Sequence, residues 1–113
     1  MTGRTPFALT EELPWEDLGS GLQRKILGYD DKLMMTHMRF KKGAVGAVHK
    51  HPHTQVSYIV QGSFEVQVGS EKKVLSAGDS FHAPSNVEHG VVALEDSMVL
   101  DIFTPMREEF LKR

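Results

Sequence analysis

No cysteine occurs among the 113 residues. Disulfides, thiolate-held clusters and a cysteine nucleophile are therefore excluded. A basic excess is missing too: thirteen Lys and Arg stand against fifteen Asp and Glu, a net charge of −2. Such a chain has little with which to neutralise a phosphate backbone, so no nucleic-acid partner is expected. No apolar run approaches the ~20 residues that a membrane-spanning helix needs. The first residues, MTGRTPFALTEELPWEDLG, contain no apolar core of the signal-peptide type. The expected location is the cytoplasm, with no membrane attachment. Low-complexity segments, linkers, flavin motifs and nucleotide-binding loops are also absent.

What is present is an ordinary globular composition, 25% charged and 40% hydrophobic. The length predicts one domain over residues 1–113, able to bury a core without staples. Residues 1–21 are rich in turn formers and acids and read as an irregular N-terminal arm, with at most a short turn of helix. Trp15 and Leu18 are its candidate anchors, to the body or to a second subunit.

From Leu22 onward the hydrophobic period becomes two. Strands are predicted over 24–29, 32–40, 56–61, 63–68, 72–75, 80–84, 88–94 and 98–103, with a short C-terminal helix over 106–113. Met34, Thr36, Met38 and Phe40 share one face of their strand, and Met35, His37 and Arg39 the other. His37 reads as a surface or interface histidine, and the methionines as adaptable packing. Short strands separated by frequent turn signals predict an all-β fold, an antiparallel sandwich or barrel. Two glycine-bounded, histidine-bearing stretches suit a double-sheet jelly roll.

The first of these stretches, GAVGAVHKHPHTQVSYIVQG from Gly43 to Gly62, organises the rest. It carries His49, His51 and His53, three of the six histidines, followed by Gln55. Imidazole nitrogen and amide oxygen both suit a borderline divalent metal. Three histidines within five residues, with a later histidine stretch, point to a metal site. Pro52 argues against a strict strand that would align 49, 51, 53 and 55, which leaves His53 behind the ligands or on the outer face. His82 lines the cavity or lies outside it.

Near the end, Asp101 is the sole charge in Val99-Leu100-Asp101-Ile102-Phe103 and shares a face with Val99 and Phe103. A carboxylate among apolar residues is costly unless paired or coordinating. Such a group often has a raised pKa and serves as general acid or base. The plainer alternative is a strand carboxylate that reaches solvent or an arginine. Arg107 follows where the strand ends. Its planar fork suits a substrate carboxylate, unless it merely bridges Asp101 or another acid.

The spacings Gly43-x5-His49-x-His51-x3-Gln55-x6-Gly62 and Gly78-x5-Pro84-x4-His89 resemble the paired motifs of the cupins. That resemblance implies a cupin-type double-stranded β-helix and the metal ligands His49, His51, Gln55 and His89. Gln55 stands where most cupins have glutamate, Asn86 where glycine is usual, and Ala93 where asparagine is frequent. A neutral amide leaves more charge on the metal and makes it a stronger Lewis acid.

The segments WEDLG, KILGYDDKLMM, HPHTQ and GVVALEDSMVLDIFTPMREEFL are similar to one cupin subgroup, the small pectin-degradation proteins that open 4,5-unsaturated uronates. Glutamine is the usual ligand there. The resemblance implies that Asp101, Phe103 and Arg107 serve catalysis and substrate binding, with Gln55 helping to orient substrate. The expected cofactor is a divalent ion: nickel, manganese, iron or zinc. The expected substrate is a uronate monomer from pectin or alginate, and the expected assembly a homodimer. The competing readings are another metal-dependent cupin enzyme, a dioxygenase or sugar isomerase, and a non-catalytic sugar-binding cupin.

Overall fold

Alternation of apolar and polar residues should place every second side chain of a strand in the interior. The computed structural model of the protein, which describes residues 5–111, has ten strands in two antiparallel sheets. The strands are β1 (Glu16–Gly19), β2 (Leu22–Asp30), β3 (Leu33–Phe40), β4 (Val45–His49), β5 (Thr54–Gln61), β6 (Ser63–Val68), β7 (Glu71–Ser76), β8 (Ser80–Ala83), β9 (His89–Ala93) and β10 (Ser97–Thr104). One sheet runs β1-β2-β3-β10-β5-β8 and the other β4-β9-β6-β7. This is the all-β double sheet that the sequence pattern predicts.

The predicted alternation holds on β3, where Met34, Thr36 and Phe40 are buried. One end of the interior is a packed core of Phe40, Ala44, Ile59, Phe64, Val66, Ala93 and Val99. Phe40 and Phe64 meet edge to face across the two sheets, centroids 5.1 Å apart, a favoured arrangement for ring quadrupoles. Gly62 turns β5 into β6 at φ +83°, and any side chain there would collide with Ser97 Oγ. Only glycine satisfies both demands.

Three expectations need correction. The arm contains a strand: β1 pairs with β2, placing Glu16 opposite Arg24. The short helical turn allowed for in the arm is there, as the 3-10 turn Thr10–Glu12. Residues 41–46 read as a turn from their sequence, yet Val45 and Gly46 open a strand, β4, because β9 supplies its hydrogen-bonded partner. The predicted C-terminal helix is a single 3-10 turn, Glu108–Leu111; its last two expected residues, 112 and 113, lie outside the described residues, as do 1–4 of the arm.

Trp15 does anchor the arm. Its ring sits 5.1 Å from that of His37, with Arg39 Cζ at 4.1 Å and Lys25 Nζ at 4.7 Å. His37 is therefore half-buried beneath the arm rather than a plain surface residue. Among the described residues, no helix is long and apolar enough to cross a membrane.

Candidate metal centre

Strand register brings the histidines together. β4 ends at His49 and β9 begins at His89, and the two residues are register partners. His51 lies in the short connection between β4 and β5. Asn86 N–H donates to the His51 carbonyl at 2.8 Å, tying the two histidine stretches to each other. Asn86 has φ +61°. It thus keeps the left-handed backbone that glycine would supply, which asparagine tolerates better than most residues.

The ligand nitrogens of His49, His51 and His89 all lie within 4.8 Å of one another. Each ring is oriented by a backbone carbonyl on its Nδ1 side: Ala47 at 2.8 Å for His49, His53 at 3.0 Å for His51, Val87 at 2.9 Å for His89. A carbonyl can only accept, so each Nδ1 carries a proton, which leaves Nε2 as the atom each ring can offer as a ligand. His51 and His89 are buried. Burial, the leading cause, holds the pKa of both below the usual 6.5, which favours the neutral, ligating form.

Gln55 completes the cluster. Its Oε1 stands 3.1 Å from His51 Nε2 and 3.2 Å from His89 Nε2. Its amide nitrogen donates to Ser57 Oγ at 2.9 Å and to Asp101 Oδ1 at 3.3 Å, which fixes the oxygen toward the imidazoles. Three lone-pair atoms therefore face each other without a proton to share. That arrangement is repulsive unless a cation lies among them. The donor set of imidazole nitrogens and an amide oxygen suits a borderline divalent ion, and the Nδ1–H to carbonyl bonds are the usual support for metal-bound histidine. The residues present fit a metal.

The remaining histidines fall outside this cluster. His53 holds His51 through its carbonyl, while its own ring packs against that of His51 at 5.2 Å. His82 is exposed on β8. Asp101 sits opposite Ser57 in the β10–β5 register and accepts a 2.6 Å hydrogen bond from the Ser57 hydroxyl. Burial pushes its carboxyl up to about 6, against the opposing effects of the Ser57 bond, Arg107, Gln55 and His49.

Asp101, Phe103 and Arg107 line one cavity of ≈ 250 Å³ together with His49, Gln55 and His89. Arg107 does not bridge Asp101; its Nε donates to Glu109 at 2.6 Å. Its Cζ lies 5.1 Å from the Phe103 ring centroid. The sequence reading missed two polar residues of this site. Ser57 links Gln55 to Asp101, and Arg24 on β2 also lines the cavity. Arg24 carried the signal used for Asp101: it is a lone charge on an alternating face, between Leu22 and Ile26.

A histidine-lined cavity between two antiparallel sheets is the arrangement of the cupins, and the chain belongs to that family: residues 36–103 match the cupin domain. Over 107 residues, 93% of this chain and 97% of the relative, it is 47% identical to the pectin degradation protein KdgF of Dickeya dadantii. The structure of KdgF from Halomonas sp. superposes with a TM-score of 0.91 at 45% identity, covering 95% of this chain and 99% of the other. An RmlC-like cupin from Shewanella frigidimarina superposes at 0.94 with 45% identity, covering 97% and 99%.

Proposed function

We propose that the protein is a metal-dependent enzyme of pectin or alginate breakdown that opens 4,5-unsaturated uronate monomers to the linear 5-keto-4-deoxyuronate. The observation that carries this reading is the Gln55 amide, which joins the candidate metal cluster to Asp101 within hydrogen-bond distance. Similarity to KdgF over nearly the whole chain supports it.

The substrate is a cyclic hemiacetal whose ring oxygen also belongs to an enol ether. Asp101, as carboxylate, takes the proton from the C1 hydroxyl. The C1–O5 bond breaks, C1 becomes the aldehyde, and the electron pair stays on O5. The resulting enolate collapses to the C5 ketone as C4 takes a proton, which Asp101 returns. No oxidant or co-reactant is consumed. His49, His51, Gln55 and His89 would hold the divalent ion, which when bound stabilises negative charge on oxygen. Arg107 holds the uronate carboxylate, and Phe103 shapes the wall beside it. Ser57 keeps Asp101 aimed.

The same proposal includes a cytoplasmic setting and a homodimer. The exposed apolar side chains of Val56, Tyr58 and Val60 on the outer face of β5 are in keeping with a partner surface. The test is direct. Protein loaded in turn with nickel, manganese, iron or zinc is mixed with a lyase-generated unsaturated monomer under nitrogen, and loss of the conjugated-acid absorbance is followed. Turnover with at least one ion is expected. Absence of turnover with all four, or a strict need for oxygen, would end the ring-opening assignment.

A further inference from the structure

The polar groups of the cavity separate into a near set and a far set. Asp101 and the candidate ligands form the near set, and Arg107 stands beside it. Its charge is felt by Asp101, His51 and His89. Arg24 is the far one. It lies on β2, with β3 between it and β10, in register with Met38 and so with Val99 rather than with Asp101. The two arginines share one ring: Arg24 Cζ is 3.9 Å and Arg107 Cζ 4.5 Å from the Phe110 centroid.

Arg24 is held rigidly. Its Nε and Nη2 donate to Glu16 Oε1 at 3.2 and 3.0 Å, and its side chain is only 11% exposed. A guanidinium fixed on one edge and stacked on a ring has lost most of its conformational freedom before any ligand arrives. Its two Nη1 protons and the second Nη2 proton are the ones left for a ligand. Both arginines have a glutamate partner, Glu16 for Arg24 and Glu109 for Arg107; Arg107, beside Asp101 and the candidate ligands, is the one placed for the carboxylate, which leaves Arg24 the hydroxyl edge.

Sugar geometry indicates which hydroxyl. In a unsaturated uronate, C1 and the carboxylate-bearing C5 both flank the ring oxygen. With C1 at Asp101 and the carboxylate at Arg107, the opposite edge of the ring carries the C2 and C3 hydroxyls. Lyase elimination removes the stereocentres at C4 and C5. Monomers from galacturonate and from mannuronate then differ only in the configuration at C2.

We propose that Arg24 is a specificity-determining residue that hydrogen-bonds the C2–C3 hydroxyl edge of the substrate and so sets the preference between C2 epimers. This rests on the function proposed above. A site built to hydrogen-bond a hydroxyl discriminates strongly when that bond is made in one epimer alone, and a bond to a charged donor is worth about tenfold or more in affinity.

The experiment compares wild type, Arg24→Gln, Arg24→Lys and Phe110→Leu, each metal-loaded, on the two unsaturated epimers. Arg24→Gln should raise KM about tenfold for the preferred epimer, leave its kcat within about twofold, and bring the kcat/KM ratio of the epimers toward one. Arg24→Lys should restore part of that ratio. Phe110→Leu removes the stack but not the donor, and should affect both epimers alike. An unchanged ratio in Arg24→Gln, or the same ratio change in Phe110→Leu, overturns the proposal, since either marks Arg24 as a structural clamp. If wild type turns over neither epimer, the function above has failed. The inference is then read from calorimetric binding of D-glucuronate and D-mannuronate, themselves C2 epimers. Discrimination lost in Arg24→Gln upholds the Arg24 contact, and discrimination absent or unaltered overturns it.

Discussion

The inward faces of β5 and β10 are apolar at one end and polar at the other. Ile59 and Val99, register partners, belong to the packed core with Phe40 and Phe64. Two residues along, the partners are Ser57 and Asp101; two further, Gln55 and Phe103. The same pair of strands therefore packs one end by dispersion and hydrophobic burial, where Ile59 and Val99 also form the apolar wall of the cavity, and lines the other end of that cavity with a ligand and a carboxylate. The core end needs only volume and shape. The cavity end holds Gln55, Ser57 and Asp101 together because each one satisfies the next, and a buried polar group without a partner would be costly. Stability and chemistry are thus divided along a strand by a change of residue type on one face.

That division can be broken at either end. The largest effect is expected from Asp101→Asn: turnover of the unsaturated monomer should fall by about 10²–10⁴, while bound metal, counted by elemental analysis, stays the same. Its melting temperature should be equal or higher, because a carboxyl whose pKa burial has pushed to about 6 is lost. A variant with full turnover would remove Asp101 from the proton transfer. Phe64→Ala should do the reverse. It empties a fully buried site that also forms part of the cavity wall, and denaturant titration should show about 3–5 kcal/mol of lost stability, with kcat of the remaining folded protein falling far less than in Asp101→Asn.

Ser57→Ala sharpens the comparison. It deletes a buried hydroxyl that accepts from Gln55 and donates to Asp101, so both stability and kcat should drop, the former by about 1–3 kcal/mol. A loss confined to stability would mean that Ser57 has no part in aiming Asp101. The smallest effect concerns His37, outside both ends. Burial first, then Lys25 and Arg39, hold its pKa below the usual 6.5. The unfolded chain therefore binds its proton more readily than the folded one. Stability from this group is present above 6.5 and declines as pH falls toward the lower folded value. Melting temperatures measured from about pH 7.5 to pH 5 should decline less steeply in His37→Phe than in the wild type. Parallel curves would show that His37 is not acid-sensitive in the fold.

The division was partly visible beforehand. Alternation announced β3, β5, β6 and β10, since a period of two is a local property of the chain. β1 and β4 were not visible, because Glu16, Asp17 and Gly46 are poor strand residues that extend only against β2 and β9. The histidine spacing and the lone charge in the last strand were legible as chemistry. The orientation of the rings was not, because it depends on three backbone carbonyls that the spacing does not specify. Ser57 gave no signal, since a serine on an inward face is common.

The amino-acid sequence by itself determined which side chains have the chemistry to ligate, to move a proton and to hold an anion, and it determined the alternation that makes two sheets. Only the tertiary structure decided that His49 and His89 are register partners, that Gln55 turns its oxygen toward the imidazoles and its nitrogen toward Asp101, and that Arg24 joins Arg107 around Phe110. The physical reason is range. Residue type and period act over a few positions, whereas register, ring orientation and shared cavities come from strands that are neighbours in space and distant in the chain.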